Sequence, residues 1–264
     1  MKTAVFVVVT VLLQGALNAG LLKVGPGETY STIQSAIDAA VPGDTVEIAP
    51  GNFAENLVVD KSPLTILGAQ NGVDAKGRVI GAPNPTLETI IEPAAGSALS
   101  LTSGSGSIVV SGCFFSSPPS LGSGVIEGSL EVLQSLDFKE NYIRVETGAQ
   151  GAAFSMGSSA LNATLSRNVF EASAVSVHTL FLDGASTYNG FHFIGNEILR
   201  VGAVAHHGLF VDGNRNLGTS ALRSSLIHTN SLIGHEIGFF AGARSLDGVI
   251  VSGNRFQGNV SGMV

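Results

Sequence analysis

Six segments of this chain repeat one pattern. IVVSGCFF, LDFKENYI, ATLSRNVF, FHFIGNEI, SLIHTNSLI and VIVSGNRF align on Cys113, Asn141, Asn168, Asn196, Asn230 and Asn254, in steps of 28, 27, 28, 34 and 24 residues. Three positions before each centre stands Val110, Phe138, Leu165, Phe193, Ile227 or Val251; two after it stands Phe115, Ile143, Phe170, Ile198, Leu232 or Phe256. Five before it, Ile108, Leu136, Ala163, Phe191 and Val249 are apolar and Ser225 is the exception. Inward residues two apart, a turn residue, then another inward residue describe a strand that bends sharply and continues. A unit of this length cannot bury its apolar side alone and must stack on its neighbours. The expected fold is therefore all-β: a single-stranded parallel β-helix of about seven to eight rungs, each of about three short strands. Rungs stack at the ~4.8 Å interstrand spacing. The Asn column then forms a ladder at one bend, amide to amide.

Composition agrees with one turn-rich β domain. Charged residues make up 12% of the 264, Gly numbers 34, and Trp is absent. A net charge of -7 without a basic run gives a nucleic-acid partner no electrostatic footprint. Lys2, the apolar run Ala4 to Leu13, and the small and polar residues up to Ala19 read as a secretory signal peptide over 1–19. That run is too short for a membrane span. The β-helix domain then covers 20–264, and the protein is expected to be secreted, periplasmic or on the cell surface. Cys113 is the one cysteine, so no internal disulfide supports the fold, and its place in the Asn column predicts a buried turn thiol. Asn162 and Asn259 open glycosylation sequons, relevant in a eukaryotic host.

TYSTIQSAIDAAVPGDTVEIAPGNFAENLVV follows the leader. Ser31 with Gln34 predicts a capping box, and Ile33, Ala36, Ile37 and Ala40 share one face of a short helix ended by Pro42-Gly43-Asp44. Strands are expected at Thr45 to Ile48, Leu57 to Val59 and Leu64 to Leu67, before a Gly-rich loop. The helix is the lid for the open end of the stack. TIQSAIDAAVPGDTVEIAPGNF-x-EN and LTILGAQNGVDAKGR resemble the opening of the pectin lyase-like superfamily of right-handed parallel β-helices. Gly51, Phe53 and Glu55 stand where pectinesterases carry Gly-x-Tyr-x-Glu, and the NosD-like exported repeat proteins are similar. The resemblance implies a cap and first rungs over 24–95 and regular rungs over 96–264. It does not extend to the catalytic segments of pectinesterases, polygalacturonases or pectate lyases.

A second column, GAAFSMG, TLFLDG, GLFVDG and GFFAG, places Phe154, Phe181, Phe210 and Phe240 together, either as a buried stack or as an outward strip for sugar rings. His178 and Asp183 recur 29 residues later as His207 and Asp212. The loop 213–225 interrupts the period, and such loops gather on one side of a solenoid, often its binding side. Asp183, Asp212, His207 and Arg244 are thus the catalytic candidates, with Tyr188, Arg215, Arg223 and Asp247 as binding candidates. Two Asp one rung apart suit hydrolysis or a Ca²⁺ ion, while Asp before Gly also suits a plain tight turn. No resident metal is expected: His206 and His207 are adjacent and point to opposite sides of a strand. After Asn254 the chain stops where a rung would begin, which predicts either a piece of a longer protein or end-to-end association. Function divides between a non-catalytic surface for polysaccharide or cell-surface protein and a polysaccharide lyase or hydrolase.

Overall fold

A computed structural model describes residues 19–79, 81–102, 106–119, 123–130, 135–146, 151–158, 160–172, 178–182, 187–201, 207–211, 221–241 and 245–264. Three parallel sheets, one of twelve strands and two of eight, make a right-handed β-helix of about 7 turns. One rung shows the path. Ser135–Lys139 lies in the first sheet, Tyr142–Val145 in the second and Ala152–Ser158 in the third; Ala160–Ser166 returns to the first, one rung on.

The apolar columns of the repeat are the interior. Val110, Phe138, Leu165, Phe193, Ile227 and Val251 are successive register partners in the first sheet. Phe115, Ile143, Phe170, Ile198, Leu232 and Phe256 are partners in the second. All are buried except Val251 and Phe256, which are half-buried against the core. Rings of Phe115, Phe138, Phe154, Phe170 and Phe193 follow one another along the axis at centroid distances of 5.5 to 6.2 Å, within the range for favourable aromatic pairs.

The third sheet corrects one expected column. Phe154 stands over Leu180, Leu209 and Phe239, whereas Phe181, Phe210 and Phe240 share a row with Ser155. A one-residue slip moves a whole row to the other side of a sheet. Phe154 and Phe239 are accordingly buried, while Phe240 is half-buried.

At the bend between first and second sheets, each column residue accepts a bond from the rung before. Asn141 Oδ1 takes the Cys113 N–H at 3.0 Å. Asn168, Asn196, Asn230 and Asn254 do the same for Asn141, Asn168, Asn196 and Asn230, each at 2.9 Å. Each Asn Nδ2 donates to a carbonyl of that earlier rung, Val110, Phe138, Leu165, Phe193 or Ile227. The buried corner thus satisfies its backbone groups through side chains. The residue just before each centre, Gly112, Glu140, Arg167, Gly195, Thr229 or Gly253, has φ between 54° and 74°. Glycine meets that left-handed requirement without strain, and the other three do not.

The helix α1, Ile33–Ala39, closes the first rung with Ile33, Ala36 and Ile37 buried. Its N-cap is Thr32, whose side chain accepts from Ser35 N, and not Ser31. Gln34 is therefore free of a capping box and bonds instead to both the N–H and the carbonyl of Val58, occupying the open edge of Leu57–Val59. Both Glu55 oxygens take the N–H groups of Ile33 and Gln34 at 2.9 Å, and Lys61 Nζ reaches the carbonyls of Ile37 and Ala40. The first rung supplies an anion to the helix start and a cation to its end, the sense the helix dipole favours.

The Gly-rich segment 68–88, described except for residue 80, forms a strap outside the stack. It bonds in turn to Ser111 O, Gly112 O, Glu140 Oε2 and Arg167 O, and Lys76 lies 3.9 Å from Glu197. Ala75 under the strap joins Ile90, Phe114, Tyr142 and Val169 on the outer side of the second sheet in a separate apolar cluster. Gly112 admits the strap, since a Cβ there would lie 2.0 Å from Asn71 N.

Candidate functional site

Asp183, Asp212, Arg215 and Arg244 lie outside the described residues. Of the remaining candidates, Tyr188 sits in Thr187–Asn189, and Arg223 pairs in register with Asn189 on one side and Asp247 on the other. Arg223 and Asp247 are exposed one rung apart, so the structure brings them to the same corner as the Tyr188 backbone. His207 is elsewhere. It opens His207–Val211 in the third sheet, in register with His178 and Ile237, and its ring centroid lies 5.3 Å from that of Phe240. Among the described residues no group of three His, Cys, Asp or Glu side chains is placed to hold a metal, and no helix is long and apolar enough to cross a membrane.

The outer side of the first sheet is polar over most of its length. One row reads Thr45, Thr65, Val109, Asp137, Thr164 and His192 and turns apolar at Leu226 and Ile250. A second reads Lys139, Ser166, Ile194, His228 and Ser252, and a third Ser107, Ser135 and Asn162. All these residues are half-buried or exposed. The Ser135 hydroxyl donates to the Ser107 hydroxyl at 2.6 Å, linking rungs on this surface. Rigid backbone register fixes these groups at the rung repeat.

Two cavities flank the strap. The larger, about 580 Å³, lies between the first rungs and the strap and is lined by Lys23, Glu28, Glu47, Gln70, Asn71 and Thr86 among others. The smaller, about 310 Å³, is lined by Arg78, Glu88, Asn84 and Ala82, with Gln70 and Leu87 bordering both. Arg78 donates to the Glu140 carbonyl at 2.7 Å and the Cys113 carbonyl at 3.2 Å, and its Nε lies 3.0 Å from Glu88 Oε1. Glu88 is 3% exposed, and its Oε2 has no hydrogen-bond partner. Burial pushes the Glu88 carboxyl up, with the Arg78 charge opposing, and burial likewise pulls the Arg78 guanidinium down. Sequence reasoning passed over this place because Glu88 carries no motif; only the folded-back strap sets it beside Arg78.

Nearer the C-terminal end, His235 is 1% exposed with neither ring nitrogen hydrogen-bonded. Burial lowers its pKa to about 4, the Ile198 carbonyl opposing and Arg200 and His207 adding to the shift. Its backbone N–H donates to Asn259 Oδ1 at 2.7 Å, and Asn259 Nδ2 donates to Leu232 O, so this bend copies the Asn corner described above. Cys113, at the head of the Asn ladder, is fully buried and its thiol is pushed up to about 12 by burial, which makes it a poor nucleophile. Comparison with protein-family models, curated proteins and solved structures finds no match to this chain.

Proposed function

We propose that this is an exported recognition protein of the pectin lyase-like type, non-catalytic, whose long first-sheet surface contacts glycan or cell-surface protein. The supporting observation is the outward set Thr45, Thr65, Asp137, Thr164, Lys139, Ser166, Ser107 and Ser135, held in register over successive rungs. Regularly spaced hydroxyls with sparse charge match a repeating hydroxylated polymer, and a surface already fixed by the core loses little entropy on binding. Residues 1–19 would direct export, giving a secreted, periplasmic or cell-surface location. No cofactor is required, with Ca²⁺ the one ion that the Asp183 and Asp212 pair would suit.

The exposed Arg223 and Asp247, one rung apart beside Tyr188, favour a second reading as a polysaccharide lyase or hydrolase at that corner. One screen separates the two. Purified protein is offered acidic and neutral polysaccharides, with binding, unsaturated products and new reducing ends followed together. Binding without turnover, weakened by Thr164→Ala with Ser135→Ala, supports the recognition surface. Turnover abolished by Asp212→Ala replaces it with the enzyme.

A further inference from the structure

The bend from Ser231–Ile233 to Ile237–Ala241 is joined to the next rung through His235, whose N–H donates to Asn259 Oδ1 at 2.7 Å and whose carbonyl accepts from Val260 at 3.1 Å. The ring lies on the previous rung: a Cβ on Gly208 would stand 3.1 Å from its Cδ2 and 3.4 Å from its Nε2. Arg200 of that rung reaches the same bend. Its Nη1 donates to the Gly234 carbonyl at 2.8 Å, while its Nε is buried without a partner. Among the described residues, Arg200 and His207 both disfavour a charged His235 ring, the Ile198 carbonyl favours one, and no carboxylate acts on it. Glu197 lies instead 3.9 Å from Lys76, and Glu236 and Arg255 are exposed. A proton on His235 therefore makes two N–H donors where the neutral ring already lacks a partner, beside a permanent cation.

We propose that this corner is an acid-operated latch: when His235 takes up a proton its ring leaves the corner, the bend swings out, and the segment 255–264 resting on it is released while earlier rungs stay folded. Opening gives the imidazolium water and distance from Arg200, neither of which the closed corner offers. Bend and segment move together, because a Cβ on Gly238 would stand 2.6 Å from the Phe256 ring and 2.8 Å from Asn259 Nδ2. The opening is local because packing thins here. Val251 and Phe256 are half-buried, whereas Phe193 and Ile198 at the same places two rungs earlier are buried. Release uncovers Phe239 and Phe256, apolar side chains that the closed form packs against the core. The sign follows from linkage: the closed ring titrates at about 4 and the open one near 6.5, so acid favours the open form, by about a hundredfold between pH 7 and pH 4. The latch is independent of the first-sheet surface and stands or falls without it.

The test is residue-resolved amide hydrogen exchange on the full-length protein at pH 7 and pH 4, with exposure times scaled for the intrinsic effect of pH. The amides of His235, Val260 and Ser261, all bonded across this bend, are expected to lose about a hundredfold of protection at the lower pH. Those of Cys113, Asn141 and Asn168 in the ladder are expected to keep theirs. His235→Asn, neutral at both values, is expected to remove the difference. Should that variant not fold, the ring protons of His235 in the parent protein decide, since the closed form is expected to hold the imidazole neutral well below pH 6.5. A ring that titrates near 6.5 inside the folded protein overturns the proposal. So do ladder amides that open together with His235, which would mean global unfolding, an absence of any acid-dependent loss, or a His235→Asn variant that opens as the parent does.

Discussion

Asn196 Oδ1 lies 2.9 Å from both the backbone nitrogen and the side-chain Nδ2 of Asn168, while Asn196 Nδ2 donates to the Leu165 carbonyl at 2.8 Å. One side chain therefore satisfies three polar groups of the rung before it, all in a dry corner. Asn196→Ala removes these bonds and leaves a buried N–H and a buried carbonyl unpaired. The expected loss is about 2–4 kcal/mol, read as a lower denaturant midpoint. Asn196→Asp is expected to be no better, since it loses the donor and buries a charge.

The left-handed residue ahead of each Asn divides into two kinds. Thr229, at φ 55°, is β-branched, and its hydroxyl bonds only to the neighbouring His228 carbonyl. Thr229→Gly is expected to stabilise the protein by about 1 kcal/mol, because relief of strain exceeds the added freedom of the unfolded chain. Glu140 and Arg167 adopt the same conformation, but their side chains tie down the strap or each other. Glycine at either position is expected to destabilise, and thermal melts of the three variants check the contrast.

Glu140 is 1% exposed and accepts from Gly72 N at 2.5 Å, from the Ser111 hydroxyl at 2.8 Å and from Arg167. Glu140→Ala strands two of these donors under the strap. A loss of about 2–3 kcal/mol is expected, with new protease cleavage inside 68–88 before global unfolding. Cleavage at the same rate as in the parent protein would show that the apolar cluster around Ala75 holds the strap alone.

The Cys113 thiol is enclosed by the ladder and by the strap, where a Cβ on Gly68 would stand 2.6 Å from its sulfur. A thiol pushed up to about 12 carries almost no thiolate at neutral pH. Disulfide reagents are therefore expected to label Cys113 only at the rate of unfolding, and stoichiometric labelling of the native protein within seconds would refute its burial.

His235 links stability to pH. The folded imidazole titrates at about 4 and the unfolded one near 6.5, so between those values the unfolded chain binds more protons. The contribution present above pH 6.5 is lost as pH falls through this window, reaching about 3 kcal/mol in all. Melting temperature should drop between pH 6.5 and 4, and His235→Asn, which can copy the neighbouring Asn259 corner, should flatten that drop.

Much of the fold can be read from residues alone. The columns beginning at Val110 and Phe115 align in sequence and pair in space, because stacked rungs force equivalent positions to share register. The strands Thr45–Ile48, Leu57–Val59 and Leu64–Leu67 follow from short apolar runs between turn residues. Rungs of unequal length shift the register between like motifs. Phe154 and Phe181 occupy like motifs, yet the pairing sets Phe154 against Leu180, since burial of one whole row outweighs the likeness of one ring to another. At the candidate site, the adjacency of Arg223 and Asp247 follows from the 24-residue step that also separates Asn230 from Asn254, whereas the separation of His207 from them depends on which sheet each strand joins.

By itself the sequence determined the repeat, its inward columns and the amphipathic helix at its start, because these depend on local period and on the cost of unburied apolar side chains. Only the tertiary structure decided where 68–88 goes, why Glu140 and Arg167 tolerate a conformation suited to glycine, and that Glu88 is buried beside Arg78. Those features arise from contacts between residues as distant in sequence as Lys76 and Glu197, and the strap's own residues have no period from which a partner could be read.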